Sequence, residues 1–560
     1  MQKFRDLPYE RPDIAAIGSK AEALVKKLAG ASSYEEARSC LMEKEELFRS
    51  LSTLETIAQV RNTINTTDAF YEAEMEYLDG NTPKLIPVLK DWNQTLLLSP
   101  YRPEFEKEFG AQLFRLLEAE TRAQDPAIIE DRVEEANLCT EYSKLTATCS
   151  TIFRGETCNF YGLLKHMHSV DRAERKEAFE AWAALYESIA DRLDDIYDRM
   201  IAVRCRMAEK LGMKSYCELA YIDSQKPEFT PEMIASFRQQ VKEVITPAAD
   251  KLRREQAKRL GIDKLRYYDE PLFFPDGNAE PHGTPAEMIE AARQMYHELS
   301  EETGEFFDFM TRYDLFDLES KPGKRTGGYC TALPGYKAAF IFSNFNGTSA
   351  DVDVLTHEAG HAFMVYNSMR RFPLDEYIWS NFSIDEIHSM SMELFTYPWM
   401  DKFFGQNAEK YRYGHLRETL CSIPYLVSVD EFQHRVFENP KMSAKERRAV
   451  WREIEKAYMP WRDYGGNAFL EEGGFWMQKQ HIFLNPFYYV DYALAQMGAF
   501  DFYTKMKEDR EKAWQDYYTL CCAGGSRGYF ELLDLAGLHN PFLPGSVAAS
   551  AKAVLEEVAE

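Results

Sequence analysis

The chain has 560 residues, a formal net charge of −25 and a hydrophobic share of 45%, enough apolar side chains for one very large core or two closely packed ones. The acidic excess is spread along the sequence rather than gathered in a tail, which argues against nucleic acid and anionic membranes as partners. No run approaches the roughly 18 apolar residues of a membrane span, and the ten cysteines lack CxxC spacing, so reduced thiols are expected rather than a disulfide framework.

The opening MQKFRDLPYERPDIAAIG lacks the apolar stretch of a signal peptide, and a cytoplasmic chain is expected. The Asn-x-Ser/Thr matches at Asn65, Asn93, Asn346 and Asn381 then carry no meaning. Ile14, Ile17, Ala21, Leu24 and Leu28 form one helical face. Phe179, Trp182, Tyr186, Ile189, Leu193, Ile196, Met200 and Val203 alternate steps of three and four, predicting a long helix. Asp171 precedes it with Glu174 three residues on, a capping-box pattern, and Leu211-Gly212 is the stop. This divides the chain into an N-terminal helical region, 1–170, and a catalytic region, 171–560, with Pro/Gly-rich linkers at 271–284 and 321–335. The one predicted strand is Tyr336 to Phe345 (YKAAFIFSNF), between the turn at Pro334-Gly335 and the break at Asn346-Gly347. It reads either as part of a short core hairpin or as an edge strand that pairs with a peptide's backbone.

Residues 357–361 read HEAGH. On a helix, His357 and His361 share a face and offer two imidazoles to one ion. Glu358 leaves the helix about 100° away, within reach of an ion-bound water without being a ligand. The glycine and third histidine of a metzincin are absent, their places taken by Met364 and Asn367. A carboxylate from another helix is then the expected third ligand, with an open fourth position. In the run Ser380 to Phe395, Ser383 or Asp385 is the predicted cap, which puts Glu386 in the first turn. Glu376, Glu386 and Glu393 are the available glutamates, with Asp375 and Asp385 as lesser candidates, and spacing alone does not choose among them. His388 points to another face than Glu386 and is read as a non-ligand. Further on, GGNAFLEEGG (465–474) is either a loop that closes over substrate or an ordinary surface loop. His481, Tyr488, Tyr489 and Tyr492 offer imidazole and phenol donors to a developing oxyanion, or simply pack.

From Gly327 onward the blocks GGYC, SNFNG, DVLTHEAGHAF and DEIHSMSMELF, with the C-terminal GGSRGYFELLDLAGLHNPF, resemble the thimet oligopeptidase and oligoendopeptidase F family of zinc peptidases. The resemblance covers at least residues 325–543 and is weaker over the N-terminal third. It implies Glu386 as the third ligand, with Ser389 and Glu393 supporting the site, and it favours the edge-strand reading. It implies His481 and Tyr492 as oxyanion donors with Tyr489 as a second tyrosine, although Pro486 stands where the thimet-type pattern has a tyrosine and Tyr492 comes one residue early. The implied fold is mainly α: a large helical, two-lobed ellipsoid enclosing a substrate channel, with a small β-sheet beside the HExxH helix. The implied cofactor is one Zn2+ per chain, and the implied activity is endopeptidase cleavage of short unstructured oligopeptides with Glu358 as general base. Two alternatives remain. One is a helical carboxypeptidase or dipeptidyl carboxypeptidase that grips a substrate carboxylate through Arg325, Arg370 or Arg371. The other is a non-catalytic peptide-binding protein with structural zinc, which the absence of a fourth evident ligand disfavours.

Overall fold

Helical periodicity in the sequence carries through to the fold, which is 72% helical, with two small sheets among the described residues. The computed structural model describes residues 1–123 and 125–559. Among these residues no helix is long and apolar enough to cross a membrane, and all ten cysteines are free. The backbone groups into two compact units. One comprises Met1–Gln124, Ala279–Glu409 and Lys505–Leu538; the other comprises Asp125–Asn278, Lys410–Thr504 and His539–Glu560. The break after Asn278 falls inside the Pro/Gly-rich stretch 271–284.

In the first unit, the helices Ile14–Ala29 and Tyr34–Ile64 begin at Asp13 and Ser33, whose side chains accept the N–H of Ala16 and Glu36. Ile14, Ala21, Leu24 and Leu28 are buried, as their spacing predicts. Leu24, Leu28, Leu41, Trp92, Phe105 and Phe114 form a core with Leu374 and Tyr377, which follow the HEAGH helix in sequence. Tyr377 ties that turn down: its hydroxyl donates to the Phe109 carbonyl at 2.7 Å and accepts the Leu113 N–H at 2.9 Å. The N-terminal helices and the segment joining the HEAGH helix to Glu386 therefore share one apolar interior.

The predicted strand exists with a different start and a different place. A 3-10 turn occupies Pro334–Tyr336, and the strand runs Ala338–Phe345. It lies in the middle of a three-stranded sheet, parallel to Phe316–Glu319 and antiparallel to Tyr329–Leu333. Both of its edges are paired, so it is not an edge strand; of the two expectations, the core hairpin is the one formed. Seven of its eight residues are buried, the pattern of a strand covered on both faces. Tyr329–Leu333 is the outer strand on that side.

In the second unit the long helix spans Arg172–Lys210, is capped by Asp171 and ends at Leu211. The expected capping box does not close. The Glu174 carboxylate turns away to His166 Nδ1 at 2.6 Å and Ser169 Oγ at 2.9 Å, while the Asp171 N–H that a box would give it goes to Ser169 Oγ at 3.2 Å. Segment 465–474 contains a short helix, Ala468–Glu471, capped by Asn467 and pinned by the Arg452–Glu471 ion pair at 2.7 Å.

Candidate active site

The HEAGH helix spans Ala350–Arg371. Its entry is fixed by Asp351, whose carboxylate accepts the N–H groups of Asn346 at 2.9 Å and Gly347 at 2.7 Å from within the first turn, where the helix dipole favours an anion. Its exit is closed by Arg370 on the Tyr366 carbonyl at 2.9 Å and Arg371 on Asn367 Oδ1 at 3.0 Å. Two of the three arginines considered for a substrate carboxylate are thus engaged in ending their own helix.

The neighbouring helix spans Phe382–Phe395 and is capped by Asn381, which accepts the Ser383 N–H at 2.9 Å. The cap is neither Ser383 nor Asp385. The start is two or four residues earlier than expected, and Glu386 lies in the second turn. Asp385 instead accepts Ser380 Oγ at 2.5 Å and the Ser380 N–H at 3.1 Å, and burial pushes its carboxyl up to about 7. The two helices meet at Gly360. A Cβ there would stand 2.6 Å from the His388 carbonyl oxygen and 2.7 Å from Ser389 Cα, closer than any real contact. The glycine inside HEAGH is what lets the second helix bring its carboxylate to the two histidines.

The donors converge. Ligand atoms of His357, His361 and Glu386 all lie within 4.8 Å of one another. Glu386 Oε2 is 3.2 Å from His357 Nε2 and 3.5 Å from His361 Nε2. Ser389 Oγ donates to the same carboxylate at 3.0 Å. Glu393 takes His357 Nδ1 at 2.6 Å, which orients the ring and leaves Nε2 for an ion, the usual support of a metal-binding histidine. Charge fits the same reading. Burial would raise the Glu386 carboxyl, yet His361 and His357 hold it well below the usual carboxylate range. Burial would lower His357, yet Glu386 and Glu393 hold it well above the usual imidazole range. Two imidazoles and a carboxylate this close share protons unless a cation replaces them, so the residues present fit a divalent ion with an open position. Glu358 is 8% exposed and outside this trio, and burial pushes its carboxyl up.

The other candidates fall elsewhere. Glu376 accepts Lys44 Nζ at 2.7 Å, and Asp375 accepts Arg49 at 2.7 Å. His388 is fully buried outside the donor cluster, and burial pushes it down to about 3.

In the second unit, three tyrosine rings gather round His481. Their centroids lie 6.0 Å (Tyr488), 4.8 Å (Tyr489) and 6.3 Å (Tyr492) from the imidazole, and Lys479 Nζ sits 4.4 Å from the centre of the Tyr489 ring. Two residues that the sequence did not single out hold this segment. Phe487 adopts a left-handed backbone, φ 62, which costs a bulky residue of order 1–3 kcal/mol. Its N–H is taken by Gln433 Oε1 at 3.0 Å and its carbonyl by Lys226 Nζ at 2.6 Å. Lys226 also pairs with Asp491 at 2.6 Å, both side chains fully buried. No motif announces such a pair across that sequence separation.

An HExxH helix crossed by a glutamate-bearing helix, with a carboxylate behind the first histidine, defines a helical metallopeptidase. Residues 4–123 match the model of the Peptidase M3 N-terminal domain and residues 165–550 that of Peptidase family M3; the chain belongs to that family. Among solved structures it is similar to PZ peptidase A with an inhibitor, at 44% identity and a TM-score of 0.94, covering 100% of this chain and 99% of that one. It is also similar to a protein of Bacillus anthracis str. Ames described as an oligoendopeptidase F, at 40% identity and a TM-score of 0.88, covering 100% and 98%. Among curated proteins it is 24% identical to the chromosomal oligoendopeptidase F of Lactococcus lactis subsp. cremoris over 68% of this chain and 62% of that protein. A match to an oligoendopeptidase F homolog of Borreliella burgdorferi spans 38% of that relative, so the chain spans less than two thirds of the curated relatives it matches.

Proposed function

We propose that the protein is a zinc-dependent endopeptidase that hydrolyses internal bonds of short, unstructured oligopeptides. The observation that carries this reading is the convergence of His357, His361 and Glu386, with His357 turned by Glu393 so that Nε2 faces the Glu386 carboxylate at 3.2 Å. A zinc ion bound by this set supplies Lewis acidity to the scissile carbonyl and to water. Glu358 accepts the proton of the attacking water and passes it to the leaving amine nitrogen; its burial raises its basicity for that transfer. Ser389 and Glu393 keep the donors in register. His481 with Tyr492, and Tyr489 as the second tyrosine, are assigned the oxyanion-donor role on the family's residue pattern.

The substrate's extended backbone is assigned to the outer strand Tyr329–Leu333, in place of Ala338–Phe345. Gly328, next to that strand, supports this: a Cβ there would be 3.7 Å from Glu358 Oε1, so backbone passing that point runs beside the base. Ten free thiols support a reducing, cytoplasmic setting.

The test is digestion of a length series of peptides with blocked and free termini, with the cut sites mapped by mass spectrometry. Internal cleavage that survives blocking of both termini is expected. A strict need for a free C-terminus would move the protein to the carboxypeptidase reading, and rapid hydrolysis of native folded proteins would remove the size limit.

A further inference from the structure

A second set of metal-type donors lies in the second unit, on residues the peptidase reading does not use. Strands Thr151–Phe153 and Glu156–Cys158 pair antiparallel through a two-residue turn, with Arg154 at φ 50 and Gly155 at φ 87, the signs of a type I′ hairpin. Glu156 and Cys158 are alternate residues of one strand and share a face. Asn159 then caps the helix Phe160–Met167 by accepting the Gly162 N–H at 2.8 Å, and that helix carries His166 back to the strand. One ligand atom each of Glu156, Cys158 and His166 lies within 4.8 Å of the others.

The histidine supplies an independent observation. Its Nδ1 is held by Glu174 at 2.6 Å, the distance at which Glu393 holds His357. Its Nε2 is buried and has no hydrogen-bond partner among the described residues. A buried ring nitrogen left so is costly, and metal coordination satisfies it. The same bond explains why Glu174 leaves the capping box predicted for the long helix.

From this arrangement we propose that Glu156, Cys158 and His166 form a second metal site, taking one zinc-class divalent ion. Thiolate, imidazole and carboxylate are the donors such an ion prefers. Glu156 Oε2 now pairs with Lys165 at 3.0 Å, with both side chains more than 60% exposed, and such a surface pair yields readily to a metal. Cys158 is buried whereas Glu156 reaches solvent, so the fourth position is left to water and the ion exchanges. It staples a two-stranded hairpin, a marginal structure alone, to the following helix and, through Glu174, to the long one.

Cobalt(II) distinguishes this site from the HEAGH site, whose donors contain no sulfur. The full-length chain, dialysed against a chelator and titrated with Co2+, is expected to develop a near-ultraviolet thiolate-to-cobalt charge-transfer band. The band should reach its full amplitude by two equivalents per chain, the HEAGH donors taking the other ion, and be absent in Cys158→Ser. Glu174→Gln, which keeps all three ligands, should retain the band with Co2+ affinity lowered about 10–100-fold. If Cys158→Ser loses its helical circular dichroism, His166→Gln replaces it and must weaken the band's titration at least as much as Glu174→Gln. No thiolate band in the wild type, or an undiminished band in Cys158→Ser, overturns the proposal. The outcome is independent of peptidase activity, so it stands or falls apart from the reading of the HEAGH site.

Discussion

The HEAGH helix and the His481–Tyr492 segment hold their polar side chains by opposite means. The first relies on regular geometry: two histidines one helical turn apart, a glycine that admits the crossing helix, and a carboxylate behind one imidazole. The second relies on an irregular backbone, with Phe487 in a left-handed conformation fastened by Gln433 and the buried Lys226–Asp491 pair. Regular geometry writes itself into contiguous sequence. Irregular geometry is stabilised by residues far away in the chain, and only the folded structure identifies them.

The contrast breaks first at the metal ligands. Glu386→Gln removes the anionic donor that His357 and His361 surround, and the zinc of the HEAGH donors and turnover should be lost together; metal analysis against the wild type and peptide cleavage on one preparation check this. Full zinc retention there, with loss in Glu393→Gln, would exchange the roles of the two carboxylates. The strained segment should respond differently. Lys226→Met leaves the fully buried Asp491 carboxylate without its cation, a loss of about 3–5 kcal/mol in stability, read by chemical denaturation. The HEAGH donors should keep their zinc in that variant. Loss of zinc would mean that the two regions are not held separately.

Tyr492→Phe sharpens the comparison with less disruption, since it removes one hydroxyl and little volume. An oxyanion donor lost in this way should lower kcat roughly 10²-fold, with a smaller effect on KM. A change confined to KM would place Tyr492 in ground-state binding. Tyr489→Phe is the companion variant: all three rings surround His481 at 4.8–6.3 Å, so a loss there alone would name Tyr489 as the donor.

What was legible in the sequence follows the same division. The histidine pair on one helix face, the position of Glu358 beside it and the long helix from Arg172 came from local spacing. Glu386 was one of several carboxylates until the family pattern singled it out, because its approach depends on helix crossing rather than on spacing. The strand at Ala338–Phe345 was recognised by its residues and misplaced as an edge, since strand order is decided by partners elsewhere in the chain. Asn381 was missed as the helix cap because Ser383 and Asp385 carry equally good capping side chains. Glu174 satisfied a capping-box pattern and went to His166 instead, a partner eight residues upstream and outside that motif. Gly360 stood in full view inside HEAGH, but its reason, the His388 carbonyl pressed against it, belongs to the packed structure.

The central claim is that the HEAGH helix divides metal binding from proton transfer between adjacent residues. Glu358→Gln tests it most directly, because the amide keeps the side chain's shape and removes the base. Zinc content and kcat measured on the same purified sample should give the wild-type zinc content, with turnover lower by a factor on the order of 10² or more. Cleavage by that variant at near wild-type rates would contradict the account.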